Sequence, residues 1–133
     1  MANLQVKIQA VNTTAAPSPV GPYNQAIIAG EWMYCSGQIA LDPITGQMIG
    51  NGEIEVETYQ VLTNLKGVLA AAGISINQIV RTTIFLIDLK DFSKVNAIYN
   101  NFFNEGIYPA RACVEVTGLP KGAKVEIDCI AFL

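Results

Sequence analysis

The sequence predicts an α+β fold, a mixed six-stranded sheet with two helices packed on one face. Three observations carry this. Six short runs are rich in β-branched residues or alternate apolar with polar residues. Two longer runs repeat apolar residues at three- and four-residue spacing. Their order is strands, helix, strand, helix, two strands, and no repeat, low-complexity segment or linker interrupts them, so residues 1–133 read as a single domain.

The first strand is expected over residues 4–11, where Leu4, Val6, Ile8 and Ala10 alternate with Gln5, Lys7 and Gln9. A loop with three prolines then leads to Tyr23. Strands over 25–29 and 32–38 follow, joined by Gly30 and Glu31 in a tight hairpin. Asp42-Pro43-Ile44-Thr45-Gly46 opens a loop that runs to about residue 52. From 55 to 72 the apolar face of a helix is Val56, Tyr59, Leu62, Leu65, Leu69 and Ala72, with Gly73 as its stop. A β-branched strand spans 78–87. A second helix is capped by Asp91, lined by Phe92, Val95, Ile98, Tyr99 and Phe102, and ended by Gly106. The strand around Arg111 comes next, and a last strand over 124–132 turns Val125, Ile127, Cys129 and Ala131 one way and Glu126, Asp128 and Ile130 the other.

Composition narrows the function classes. With 51% hydrophobic and 14% charged residues, the chain carries few charges to coat a surface, which points to a homo-oligomer formed on the uncovered sheet face. The net charge of −3 and the absence of a basic stripe argue against nucleic acid. No stretch is a candidate membrane span, and three scattered cysteines without a Cys-x-x-Cys pair suit reduced thiols in a cytoplasmic protein. The absence of histidine removes the commonest general base and the usual metal sites. No cofactor or metal is expected. Chemistry must run on carboxylate, tyrosine, thiol, arginine, amides and water, and activity is expected to vary weakly from about pH 6 to 8.

The stretch Tyr108-Pro109-Ala110-Arg111-Ala112-Cys113-Val114-Glu115-Val116 is the most unusual. Period two puts Arg111, Cys113 and Glu115 on one face and Ala112, Val114 and Val116 on the other, which reads as core. A guanidinium drawn into a sheet needs a partner. Glu115, Glu126 or an anionic ligand would serve.

Several motifs together resemble one family. They are Gly21-Pro22-Tyr23-x-Gln25-Ala26, Ser36-Gly37-Gln38-Ile39, Asn64-Leu65-Lys66 through Ala71-Ala72-Gly73, and Val95-Asn96-Ala97-x-Tyr99. To these add Pro109-Ala110-Arg111-x-Cys113-Val114-Glu115-Val116, Leu119-Pro120-Lys121 and Val125-Glu126-Ile127. In order and spacing, from residue 21 to 132, the chain resembles the RidA (YjgF) family of reactive-intermediate deaminases. The resemblance implies a chorismate-mutase-like homotrimer with sheets inward, helices outward and clefts between subunits. It implies cofactor-free hydrolysis of 2-imino acids and their enamine tautomers (2-aminoacrylate, 2-iminobutanoate, 2-iminopropanoate) to 2-keto acids and ammonia, which protects pyridoxal-phosphate enzymes. Arg111 matches the family arginine that grips the substrate carboxylate; Tyr23, Gly37, Cys113 and Glu126 match other pocket positions, with Ser36 beside them. Asn24, Ala40 and a short loop over 104–108 depart from the common pattern and bear on substrate preference.

On this reading Glu126 orients or activates water, Tyr23 closes the pocket and donates its hydroxyl, and the backbone amides of Gly37 and Cys113 hold the substrate. Cys113 is not read as a nucleophile, because no histidine is there to activate it. The bland alternatives are an internal ion pair for Arg111, a solvated acid for Glu126 and a loop anchor for Tyr23. Cys35, Cys129, Phe92 and Tyr99 read as core and Asn96 as structural. Two rival functions remain: a ligand-binding regulatory trimer without turnover, and an endoribonuclease or translation inhibitor.

Overall fold

In the computed structural model, which describes residues 7–133, the chain begins with β1 (Ile8–Val11), β2 (Ala26–Ala29) and β3 (Trp32–Gln38). It continues through α1 (Ile54–Ala71), β4 (Ile79–Leu86), α2 (Phe92–Phe103), β5 (Ala110–Glu115) and β6 (Val125–Phe132). The order of elements is the expected one, and the six strands form one sheet in the order β1-β2-β3-β6-β4-β5. Every pairing is antiparallel except β4–β5, which is parallel, so the sheet is mixed. The expected start of the first strand, residues 4–6, lies outside the described residues.

One rung of paired residues crosses the whole sheet: Val11, Ala26, Cys35, Cys129, Thr82 and Arg111. Its first five members are buried, so this is the helix-covered face. Directly opposite residues on neighbouring strands point to the same side, which puts Arg111 on the covered face at the edge of the sheet. Cys113 and Glu115 follow it. The expected assignment of faces on this strand is thereby reversed. Val114 is 43% exposed on the open face, while Cys113 packs against the core. The reason is that β5 is an edge strand whose covered face meets α2, not a central strand buried on both sides.

The first strand shows the same inversion. Val11 is buried and Ile8 is 72% exposed, because Ile8 belongs to the open-face rung with Ala29, Trp32 and Phe132. Trp32 and Phe132 meet edge to face, ring centroids 5.4 Å apart. Tyr34, Ile130 and Ile27 form the next open rung. No helix covers this apolar surface.

Two glycines show why turns fall where they do. Gly30 takes φ +62° between Ala29 and Trp32, which a two-residue hairpin requires. Gly73, at φ +75°, ends α1: its N–H donates to the Ala70 carbonyl and the Ile74 N–H to that of Leu69, a Schellman closure. The buried stripe of α1 is Ile54, Thr58, Val61, Leu62, Leu65, Val68 and Leu69. Val56 and Tyr59, expected on that face, are exposed; Tyr59 instead meets Phe102 of α2 edge to face at 5.6 Å. The stripe is displaced because Glu57 and Asn64 are drawn inside by backbone groups. Asn64 donates to the carbonyls of Ile39 and Leu41, and Glu57 accepts from the Lys124 N–H. Asp91 stands at the N-cap position of α2, as expected, but its side chain makes no capping hydrogen bond. A 3-10 turn, Leu89–Asp91, precedes the helix, and Asp88 caps that turn by accepting from the Lys90 N–H at 2.8 Å. The helix then stops at Phe103, three residues before Gly106.

Candidate active site

Arg111 reaches from β5 toward α2. Its Nη1 donates to Asn96 Oδ1 at 2.7 Å, and its guanidinium carbon lies 4.9 Å from the Tyr99 ring centre and 5.4 Å from that of Phe92. The aromatic faces hold the cation without neutralising it. Among the described residues no carboxylate pairs with Arg111. Glu115, the nearest sequence candidate, accepts instead from the Leu89 N–H at 2.9 Å. Beside the guanidinium is a cavity of about 340 Å3, lined by Asn96, Tyr99, Asn100, Tyr108, Pro109 and Arg111. An arginine with no acidic partner among the described residues, oriented by an amide and open to a small cavity, can offer its planar fork to an anion.

Cys113 lies two residues along the same face. Burial pushes its thiol above the ordinary value, and the nearby Arg111 only partly opposes this. It remains a thiol at neutral pH, as expected for a spacer and not a nucleophile. Cys35 and Cys129, paired across β3 and β6, are buried free thiols in the core.

Tyr23, Gly37 and Glu126 meet in a second place. They line a narrow cleft of about 40 Å3 with Pro17, Val20 and Pro120, room enough for an ordered water. The register of β3 against β6 slips between Cys35 and Gln38, so Ser36 and Gly37 sit in a bulge where the ladder is broken. Gly37 lies directly over Glu126. A Cβ there would stand 2.7 Å from the Glu126 carboxyl carbon and Oε2, so a larger residue would push the carboxylate aside. Burial, helped by the charge of Asp128, raises the Glu126 pKa above its ordinary value. β4 separates β6 from β5, and Glu115 is not among the causes of this shift.

The loop before β2 places Tyr23. Gln25, buried beneath it, donates through Nε2 to the carbonyls of Thr13, Ala16 and Pro17, and its Oε1 accepts from the Thr13 N–H at 2.7 Å. Tyr23 Oη accepts from the Val20 N–H at 3.2 Å, which leaves its own proton to donate. Ser36 Oγ donates to the Asn24 carbonyl at 2.7 Å and so ties the same loop to the bulge, leaving its lone pairs for a ligand. Replacing Gln25 by leucine strands several buried carbonyls and one N–H. We expect a loss of about 2–4 kcal/mol in stability, measured by urea denaturation, and looser exchange protection over residues 13–23.

Arg111 and Glu126 do not meet in one chain. The Arg111 rung is on the covered face, whereas Glu126, Phe85 and Val114 form a rung on the open face. The cation thus stands beside one pocket, and the carboxylate and tyrosine line another. Among the described residues no group of three or more His, Cys, Asp or Glu is arranged to hold a metal ion.

A sequence profile of the family described as Endoribonuclease L-PSP matches residues 13–133. A RutC family protein of Synechocystis is 54% identical over 123 residues, covering 92% of this chain and 95% of its own. The mouse 2-iminobutanoate/2-iminopropanoate deaminase is 46% identical over 121 residues, covering 91% and 88%. A crystal structure of a Rid family protein of unknown function from Yersinia pestis superposes with a TM-score of 0.92 at 46% identity, covering 96% of this chain and all of that one. The chain belongs to the Rid family.

Within this Rid fold Arg111 lies at a sheet edge, and Gly37 lies over Glu126 at a strand bulge. Sequence reasoning singled out Arg111, Tyr23, Gly37 and Glu126, but read Asn96 as structural and Phe92 and Tyr99 as core; Tyr99 is buried, whereas Phe92 is exposed, and all three surround the guanidinium. Asn96 is its hydrogen-bond partner, Tyr99 and Phe92 flank it, and Tyr99 is simultaneously buried, its hydroxyl 2.7 Å from Thr82 Oγ1. The signal was present. Asn96, Tyr99 and Asn100 fall at i, i+3 and i+4, one face of a helix.

Proposed function

We propose that this Rid protein is a cofactor-free deaminase that hydrolyses 2-imino acids and their enamine tautomers, including 2-aminoacrylate, 2-iminobutanoate and 2-iminopropanoate, to 2-keto acids and ammonia. In this role it protects pyridoxal-phosphate enzymes from intermediates they release. The observation that carries the reading is the Arg111 guanidinium, free of acidic partners and held by Asn96 at the wall of a small cavity. Two parallel hydrogen bonds to a carboxylate fix the position of the adjacent C=N carbon. The likeness to the mouse deaminase supports the same reaction class.

The placement of Arg111 and Glu126 on opposite sheet faces, and the apolar character of the open face that carries Glu126, support a homotrimer in which one subunit supplies Arg111 and the amide of Cys113. A neighbour then supplies Tyr23, Ser36, the Gly37 amide and Glu126. Water adds to the imine carbon while Glu126 takes one of its protons and passes it to nitrogen. The resulting carbinolamine gives its hydroxyl proton to Glu126, which returns it to the departing nitrogen. The C–N bond breaks, ammonia leaves and the carbonyl forms. Tyr23 donates to the oxygen as charge builds there. Free thiols at Cys35, Cys113 and Cys129 support a reducing, cytoplasmic setting.

The test couples a pyridoxal-phosphate dehydratase acting on serine or threonine to keto-acid release. Faster release on adding this protein is expected, and no acceleration ends the deaminase reading. The family description favours one other reading, RNA cleavage. The net charge of −3 opposes it. Cleavage of single-stranded RNA that disappears in an Arg111→Ala variant would restore it. Stabilisation by 2-keto acids without any imine turnover would instead indicate a regulatory binder.

The pH profile carries its own prediction. The working form of Glu126 is the carboxylate, so rate is lost as pH falls through its raised pKa, and the acid limb lies above the ordinary glutamate value. Burial is the larger cause and Asp128 the smaller. An Asp128→Asn variant should therefore move the limb to lower pH without abolishing it. An unmoved limb removes Glu126 from the proton path.

A further inference from the structure

The geometry points to Tyr108 and Asn100 as the wall that sets how long a substrate side chain the Arg111 cavity accepts. This rests on Arg111 as the carboxylate anchor. Asn96 and Asn100 are one turn apart on α2, about 6 Å along its axis. At the first stands the guanidinium, bound to Asn96 Oδ1 at 2.7 Å. At the second stands Tyr108, whose hydroxyl donates to Asn100 Oδ1. That bond ties the loop after α2 to the helix, and Tyr108 and Asn100 line the cavity together with Arg111. Pro109 follows Tyr108 and biases its backbone to the extended region, while the bond to Asn100 holds the ring.

The dimensions set a length limit. A carboxylate on Arg111 places the imine carbon one bond inward, and with carbon–carbon bonds of roughly 1.5 Å a four-carbon acid ends about 4 Å from its carboxyl carbon. Its terminal methyl then lies against the Tyr108 ring. Branched six-carbon and aromatic chains run into it. The cavity of about 340 Å3 is near the lower bound for ligand pockets, as a site for three- and four-carbon acids requires. Tyr108 and Asn100 are both exposed at the surface of this chain, so truncating either leaves the core untouched.

The experiment compares wild type, Tyr108→Ala and Asn100→Ala with imines made in situ by an amino-acid oxidase from alanine, 2-aminobutyrate, leucine and phenylalanine. In parallel, calorimetry measures binding of 2-ketobutyrate and 4-methyl-2-ketopentanoate. Tyr108→Ala is expected to raise the leucine-to-alanine ratio of kcat/KM by ~10-fold or more, the scale of a pocket changed by one or two methylenes. It should shift the ratio of keto-acid affinities in the same direction. Asn100→Ala, which releases the ring without removing it, should shift both ratios by a smaller factor. Ratios within twofold of wild type in Tyr108→Ala overturn the assignment even if all imines are hydrolysed. Should no imine be turned over while the keto-acid ratio still shifts, the wall stands and the deaminase reading alone fails.

Discussion

Arg111→Ala is expected to lower kcat/KM for 2-iminopropanoate by ~10²–10³-fold, about 3–4 kcal/mol of transition-state binding. The variant should still fold. Arg111 is exposed at a sheet edge, and the hydrogen bond lost is one to Asn96. Thermal unfolding therefore moves by only a few degrees while activity collapses. Arg111→Lys separates charge from shape: an ammonium restores attraction to the carboxylate but not the planar two-pronged geometry, so KM stays high and much of the rate remains lost. A matched substrate without a carboxylate should show almost no difference between wild type and either variant. Arg111→Ala with full activity on imino acids would falsify the anchoring role.

The second large effect is gained, not lost. Chains carrying Arg111→Ala and chains carrying Glu126→Gln are each expected to be inactive. Denatured together in equal amounts and refolded, they should recover activity. In the proposed trimer every mixed ring has one interface at which an intact Arg111 faces an intact Glu126, so random assembly restores roughly a quarter of wild-type activity. The expectation joins the proposed trimer to the placement of the two residues in the sheet. Arg111 belongs to the rung of Thr82 and Cys129 on the covered face, Glu126 to the rung of Phe85 and Val114 on the open one. A side chain does not cross its own sheet, so no relaxation of a single chain brings the two together. If refolded mixtures stay as inactive as their components while wild type refolded alongside recovers, the sites are not shared, and Glu126 is not the partner of Arg111.

Much of this protein was legible before any coordinates. The hairpin at Gly30, the close of α1 at Gly73 and the alternation of β6 depend on residues within a few positions of one another, and turn chemistry and periodicity report them directly. Arg111 stood out for the same local reason, as a cation where a strand was expected. Other features depended on partners distant in sequence. Glu57, Asn64 and Gln25 are polar residues that the core keeps because backbone groups at Lys124, Ile39, Leu41 and the loop of residues 13–17 bind them. An apolar pattern passes over them, which is why the buried stripe of α1 was expected one step out of place.

The sequence by itself determined which segments are strands and helices, where they turn, and which residues share a side of each strand. Only the tertiary structure decided which side is covered. Alternation divides Arg111, Cys113 and Glu115 from Ala112, Val114 and Val116 equally well in either orientation, and the choice belongs to α2 and to the pairing of β5 with β4. The same holds for the separation of Arg111 from Glu126. It arises because β6 inserts between β3 and β4, a pairing set by hydrogen bonds between segments far apart in the chain, which no local pattern encodes.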